Sequence, residues 1–355
     1  MKSILKKIKV EIIVLVSLLT VFLSLTLIKV PYDITLPATV DQINNIYSFD
    51  GIDSSNININ SVSVIGQYKV NVLNYIIAKM NPYAIVEKHN DMIQTSTNYE
   101  YASGSLQKTI SHTNALIAGY KQAGKQIDYN YRGAIVHTIF GNSIGVFEVA
   151  DIIKKIDNEE ITETNSIISA LKNVCGVVER NGHYYIDFQL NHPYKFTVSR
   201  QGKEVVLDVY AMEVDDDGEK INTIGINYYD YYQINKNNTS PSFEIGESNT
   251  LGPSAGLMQS LFTYLSLTDS HLVDNLKIVG TGTVDVNGKA GAIGGAASKI
   301  AAAILAKADI FFVPEQNYDE AYSMYKKFKT NMQLVKVSSL EDCINYLKGL
   351  GDKNV

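Results

Sequence analysis

The chain has 355 residues, 37 acidic against 31 basic, a net charge of −6, and is 45% hydrophobic and 19% charged. That suits two or three folded domains rather than disorder, and the lack of a basic stripe beyond the first ten residues excludes nucleic acid as an expected partner. The two cysteines, Cys175 and Cys343, show no metal spacing and no C-x-x-C, so unpaired thiols are expected, with neither metal nor cofactor.

The first element is IIVLVSLLTVFLSLTLI, Ile12 to Ile28, seventeen positions without a charge. As a helix rising ~1.5 Å per residue it spans roughly 26 Å, enough for a hydrocarbon core with flanking lysines reaching outward. Lys2, Lys6, Lys7 and Lys9 precede it and Lys29 follows. This cation excess predicts a cytoplasmic N-terminus and an extracytoplasmic bulk. The run is longer than a usual signal-peptide core and no A-x-A site follows, so a retained single-pass anchor is expected over a cleaved signal. The expected layout is a basic N-terminus at 1–11, an anchor at 12–29 and an extracytoplasmic region of unassigned role at 30–125. A β-rich unit at 126–212 and a mixed α/β domain at 213–355 complete it.

Within 30–125, VNVLNYIIAKM reads as a short amphipathic piece, and Leu106 to Ala123 reads as a helix from its apolar spacing. The helix ends in GYKQAGKQ, a near miss to the Walker pattern. Gln126 stands where Ser or Thr would hold magnesium, and no strand precedes the loop. A helix stop at Gly124 is the expected reading, and ATP is not an expected partner.

The 126–212 unit carries the strands GAIVHTIF, DIIKKID, HYYIDFQL and EVVLDVYAMEV, with a helix in TETNSIISALKN. The run FEVADIIKKIDNEEI resembles the strand signature of PDZ domains through Phe147, Asp151, Ile153, Ile156 and Asp157, with Ala150 where the usual residue is glycine. No glycine-rich carboxylate loop precedes Ile135. PDZ domains take extended peptides on a sheet edge, so the resemblance implies substrate presentation or regulation. Asp215-Asp216-Asp217-Gly218 lacks the twelfth-position acid of a calcium loop and reads as a hairpin turn.

The last domain contains Gly252-Pro253-Ser254-Ala255-Gly256, a match to G-x-S-x-G. A helix is expected from Pro253, with Leu257, Met258, Leu261, Phe262 and Leu265 on its apolar face. That places Ser254 among free backbone N–H groups able to steady an oxyanion, the region of Pro253 and Ala255. An α/β-hydrolase elbow requires a later histidine, whereas the His-first order of other serine proteases stays open to an earlier one. Only His271 follows Ser254, just past this helix. His89, His112, His137, His183 and His192 precede it, in no distinctive setting.

Lysine is the other base. Lys299, forty-five residues after Ser254, lies in the alanine-rich helix of GGAASKIAAAILAKADIFFVP. Small apolar neighbours desolvate its ammonium and lower its pKa toward a value where the neutral amine acts as base. Serine–lysine pairs are an established way to activate a hydroxyl nucleophile.

GPSAGLMQSL, GTGTVDVNGKAGAIGG and SKIAAAILAKADIFFVP together resemble the proteolytic domain of Lon-type peptidases, most of all the membrane-anchored, PDZ-containing Lon-like serine proteases of bacteria. The resemblance implies Ser254 as nucleophile, Lys299 as general base and Thr281 as the residue that positions the lysine amine. Leu251 replaces the acidic residue found there in ATP-dependent members, and Ala292 replaces a turn proline. The expected fold class is therefore mixed α+β: a transmembrane helix, a PDZ-like unit and a Lon-type α/β domain. The implied activity is ATP-independent endoproteolysis of secreted or membrane polypeptides, with assembly into homo-oligomeric rings implied by the family alone. A non-catalytic PDZ-containing membrane scaffold and a small-substrate esterase or amidase are the alternatives at this level.

Overall fold

The computed structural model describes residues 2–90, 96–180, 182–216, 218–268 and 276–351. The architecture is mixed α/β, with an N-terminal apolar helix and, among the described residues, two six-stranded sheets beside four two-stranded ones. Helix α1, Lys2–Leu27, contains a 20-residue stretch, Ile8–Leu27, of mean hydropathy 2.5, none of it buried. It is long and apolar enough to cross a membrane.

The first sheet draws on both ends of the sequence. Its order is Gln333–Val337, Ile310–Pro314, Ile278–Gly280, then β3 (Ile59–Gln67), β1 (Tyr32–Gln42) and β4 (Ile85–Lys88). The first four strands run parallel, while β1 pairs antiparallel with both β3 and β4. Alternation along the parallel strands assigns each side chain to a face. Ile278, Ile310 and Phe312 pack with α3 (Thr97–Gln122), α5 (Gly256–Thr268) and α8 (Leu340–Gly351). Val279, Phe311 and Val313 pack on the other side with α6 (Ala296–Leu305) and α7 (Tyr318–Tyr325). A parallel sheet covered on both faces accounts for the near-continuous apolar run IFFVP.

The second sheet has the order Lys203–Tyr210, Pro193–Arg200, β6 (Ile152–Ile156), β5 (Tyr129–Ile139) and Ile226–Ile234, all antiparallel. Helix α4, Ile167–Cys175, packs Ile167, Ala170 and Leu171 into its core, with the Ser166 side chain capping the first turn. Asp151, 1% exposed, accepts from Arg200 Nε at 2.8 Å and from Nη2 at 2.7 Å. This fork-to-fork pair compensates the buried carboxylate. Ala150, standing where the PDZ signature has glycine, has φ of +75°.

Two expected boundaries are corrected. Residues 30–125 are not a separate region: β1, β3 and β4 complete the first sheet, and α3 packs on α5. Likewise Ile226–Ile234, expected in the last domain, runs along β5 in the second sheet. These pairings join segments about one hundred to over two hundred residues apart, which local periodicity cannot register. Helix α3 also begins earlier than its apolar spacing indicates. Its first turns are polar because they serve the second sheet: Ser103 Oγ donates to His137 O and Tyr99 OH to Ile139 O.

Gly124, φ +64°, ends α3 as expected, and Asp215 accepts from Gly218 N–H in a hairpin between Met212–Asp216 and Glu219–Thr223; Asp217 lies outside the described residues. Cys175 and Cys343 are both free thiols, in different cores.

Two substitutions are expected to move stability in opposite directions. Ala150→Gly relieves a left-handed backbone that costs an L-residue about 1–2 kcal/mol. Gly119→Ala would place a methyl 2.6 Å from the Thr263 side chain and 2.9 Å from Ser260 O, where α3 crosses α5. Such overpacking costs about 1–3 kcal/mol, beyond what alanine's better helix propensity returns. Denaturant unfolding should give a higher midpoint for the first and a lower one for the second.

Candidate active site

The turn carrying Ser254 is held mainly by α3. Lys108 Nζ donates to Ser248 O at 2.8 Å, Gly252 N–H to Gly104 O at 2.9 Å, and Ser111 Oγ to Pro253 O at 3.0 Å. Upstream, Phe243–Ile245 pairs with β2 (Tyr47–Phe49), and Gly246 N–H donates to Ile46 O at 2.7 Å. The turn needs two of its glycines. Gly252 has φ +86°, and a Cβ on Gly256 would lie 2.8 Å from Ser111 Oγ and 3.2 Å from Val284.

Helix α5 begins at Gly256, three residues later than expected. Pro253 to Ala255 instead form a tight turn, closed by Gly256 N–H donating to Pro253 O at 3.2 Å. Ser254 is half-buried, just before the helix. Among the described residues no carbonyl accepts from the N–H of Ser254 or Ala255. Pro253 has no N–H, so of the two residues expected around the oxyanion only Ala255 can donate.

Thr281 follows the end of the central parallel strand Ile278–Gly280 and is fully buried. Its backbone N–H donates to Phe312 O at 3.0 Å, which fixes it to the neighbouring strand. Its hydroxyl donates to Ser254 O at 3.1 Å and accepts from Lys299 Nζ at 3.3 Å. Gly282 N–H adds a second bond to Ser254 O at 2.8 Å, and Gly282 O accepts from Leu257 N–H at 3.0 Å. The serine turn and the lysine helix lie on opposite faces of the sheet and meet at the carboxyl end of its central strand, the usual place for a site in such sheets.

Lys299 is the fourth residue of α6, whose N-terminus is turned by Gly295 at φ +70°. The lysine is 4% exposed, on a helix whose Ala296, Ile300, Ala302 and Ala303 are buried as well. Burial pushes its amine down to about 8, against a smaller opposing pull from the Glu320 carboxylate. Glu320 also accepts from Ala297 N–H at 2.9 Å.

Ser254, Ala255 and Lys299 line one cavity of about 880 Å³. Its other wall is β3 from Ser61 to Ile65 with the adjoining part of β1, and Asp41 and Glu247 supply its acidic groups. Among the described residues no direct hydrogen bond joins the Ser254 hydroxyl to the Lys299 amine; Thr281 connects the amine to the backbone carbonyl of Ser254.

No described histidine lines this cavity. His112 is buried against Tyr47 OH at 2.5 Å, and His137 stacks on Tyr229 at 4.2 Å between centroids. Burial pushes both imidazoles down to about 4, so they are neutral structural rings. His89 pairs with Asp33, and His271 lies outside the described residues. Missing from the sequence reading were Gly104, Lys108 and Ser111, because their partners are backbone carbonyls and an amide that no side-chain pattern reveals.

A family model described as the Lon protease (S16) C-terminal proteolytic domain matches residues 243–348, a span that includes Ser254, Thr281 and Lys299. It covers less than a third of the chain and supports a Lon-type serine protease. A comparison with curated proteins found no match.

Burial of Lys299 opposes folding. The amine ordinarily titrates at 10.5 and is held at about 8 in the fold. Between those values the unfolded chain binds more protons, so this group's contribution to stability rises with pH across that window. Below pH 8 the full penalty, about 3 kcal/mol, is present. Lys299→Met is expected to raise the urea midpoint at pH 7, with a gain that shrinks toward pH 10.5.

Proposed function

We propose that this chain, carrying a Lon-type serine-protease domain over 243–348, is an ATP-independent serine endopeptidase. Helix α1 would anchor it in the cytoplasmic membrane, with its N-terminus inside and both sheets outside. The observation that supports this reading best is the buried lysine amine linked through a buried threonine to the turn of a half-exposed serine. Such an amine is largely desolvated and, near pH 8, exists substantially as free base.

In the proposed reaction Lys299 Nζ takes the Ser254 proton as Oγ bonds to the scissile carbonyl carbon. The resulting oxyanion is met by the free N–H groups of the 254–255 turn. Collapse breaks the C–N bond, and the lysine ammonium returns its proton to the leaving amine. A water then loses a proton to the same amine and attacks the acyl ester, releasing the carboxyl product and Ser254. Thr281 acts as a positioning residue, keeping Nζ directed at the serine turn.

The PDZ-like unit is assigned to controlling access for polypeptide substrates. Ile226–Ile234 occupies one edge of β5 along its length and β6 pairs on the other, so a peptide would not add as a strand to β5. ATP has no role in this proposal: the near-Walker segment is a helix stop. Self-association into a ring is part of the proposal through the family likeness alone.

The first test uses the full chain in detergent or vesicles with an unfolded protein substrate and no nucleotide. Wild type should cleave it, whereas Ser254→Ala and Lys299→Ala should be reduced by about a hundredfold or more. Equal cleavage by wild type and Ser254→Ala would leave a scaffold, and hydrolysis confined to small esters would leave an esterase. A second expectation concerns pH. kcat/KM should fall about tenfold per unit below pH 8 and level off above it, because the neutral amine is the active form. Thr281→Val should lower kcat with little change in KM and displace that acid limb.

A further inference from the structure

Where α1 ends, the chain is tied to a second helix. Ile28 O accepts from Val72 N–H at 3.0 Å, Val30 N–H donates to Val70 O at 2.8 Å, and Lys29 forms a bridge with Asn71. Helix α2, Val72–Met80, is capped by Asn71, whose side chain accepts from Asn74 N–H at 2.8 Å. It therefore begins beside the residue that follows the apolar stretch ending at Leu27.

Leu73, Ile76, Ile77 and Met80 fall at i, i+3, i+4 and i+7, which is one face of α2. The protein does not use most of that face: Ile76 is 44%, Ile77 56% and Met80 80% exposed. The opposite side docks through Ala78, 4% exposed, into a small core with Ile34 of β1 and Val70. Leu27 and Ile28, at the end of α1, are likewise 75% and 57% exposed. Beside the apolar face stands Lys79, its amine 5.6 Å from the centre of the Tyr75 ring, and Tyr75 lies 4.8 Å from Tyr32. An apolar stripe flanked by lysine and tyrosine is the composition of a helix lying in a lipid headgroup layer.

We propose that α2 is a second, non-spanning membrane contact. It would lie along the outer surface of the bilayer that α1 crosses, with Ile76, Ile77 and Met80 in the acyl boundary. The partner is a phospholipid surface, fixed by the hydrogen bonds that join α2 to the end of α1. This rests on the reading of α1 as a spanning anchor. One helix alone would let the catalytic sheet swivel about its exit point. A second contact, packed on β1, fixes the height and orientation of the Ser254 cavity over the lipid.

The test is depth-dependent quenching in the full chain. Ile77→Cys, Leu19→Cys and Val206→Cys, each in a Cys175→Ser background whose remaining thiol, Cys343, is fully buried, would carry an environment-sensitive fluorophore. The protein would be reconstituted in vesicles of phosphatidylcholine and phosphatidylglycerol containing spin-labelled lipid. Leu19 reports on α1, and Val206, 58% exposed on the second sheet, is the water-facing reference. The expected result is strong quenching at Leu19, and quenching at Ile77 several-fold above that at Val206. Quenching at Leu19 with Ile77 no different from Val206 overturns the surface contact and leaves the anchor intact. A blue-shifted but unquenched Ile77 label means protein covers the face, which also overturns it. Absence of quenching at Leu19 removes the anchor and the proposal together.

Discussion

Everything at the site depends on keeping an ammonium-bearing side chain out of water. Lys299 is buried on an alanine-rich helix at one face of the first sheet, and the one described hydrogen-bond partner of its amine is the hydroxyl of Thr281. That hydroxyl has two roles, accepting from the lysine and donating to the carbonyl of Ser254. Its position follows from being one residue past a central strand whose neighbours are bonded on both sides. Thr281 is thus placed by a backbone ladder. The same burial that lowers the amine's proton affinity weakens the fold, a stability cost characteristic of functional groups held in apolar surroundings.

The serine is secured from a different direction. Helix α3 meets its turn at three points, through a lysine amine, a glycine carbonyl and a serine hydroxyl. Its first turns meanwhile bond to β5 of the second sheet. One helix therefore touches both the turn that carries Ser254 and the β-rich unit. This gives a physical route by which events at that unit can reach the site without any new contact to Ser254 itself.

Legibility in the sequence followed the range of each interaction. Ser254 and Lys299 could be singled out because short patterns announce them, a glycine-flanked serine and an alanine-rich helix, whereas Thr281 was marked only by the resemblance to Lon-type peptidases. The helix over 106–123 and the hairpin at Gly218 were legible for the same local reason. The role of residues 30–125 was not, since β3 declares itself only against Ile278–Gly280, over two hundred residues away. The helix start was misplaced because proline suits a first helical turn, yet here it shapes the preceding one. Asp151 was visible in a short signature, whereas its partner Arg200 lies forty-nine residues on, in another strand.

The strand order of the first sheet also governs how the protein comes into being. β1, β3 and β4 are made early, but the neighbour of β3, Ile278–Gly280, is made late, and Gln333–Val337 forms the outer edge later still. During synthesis the early strands wait with an unpaired border while the second sheet's residues are produced. Only when the last strands emerge can the Thr281 corner close and the lysine be enclosed. The chain consequently emerges with Ser254 before the strands that enclose the Lys299 amine are complete, and the corner where the two meet closes only with these late strands.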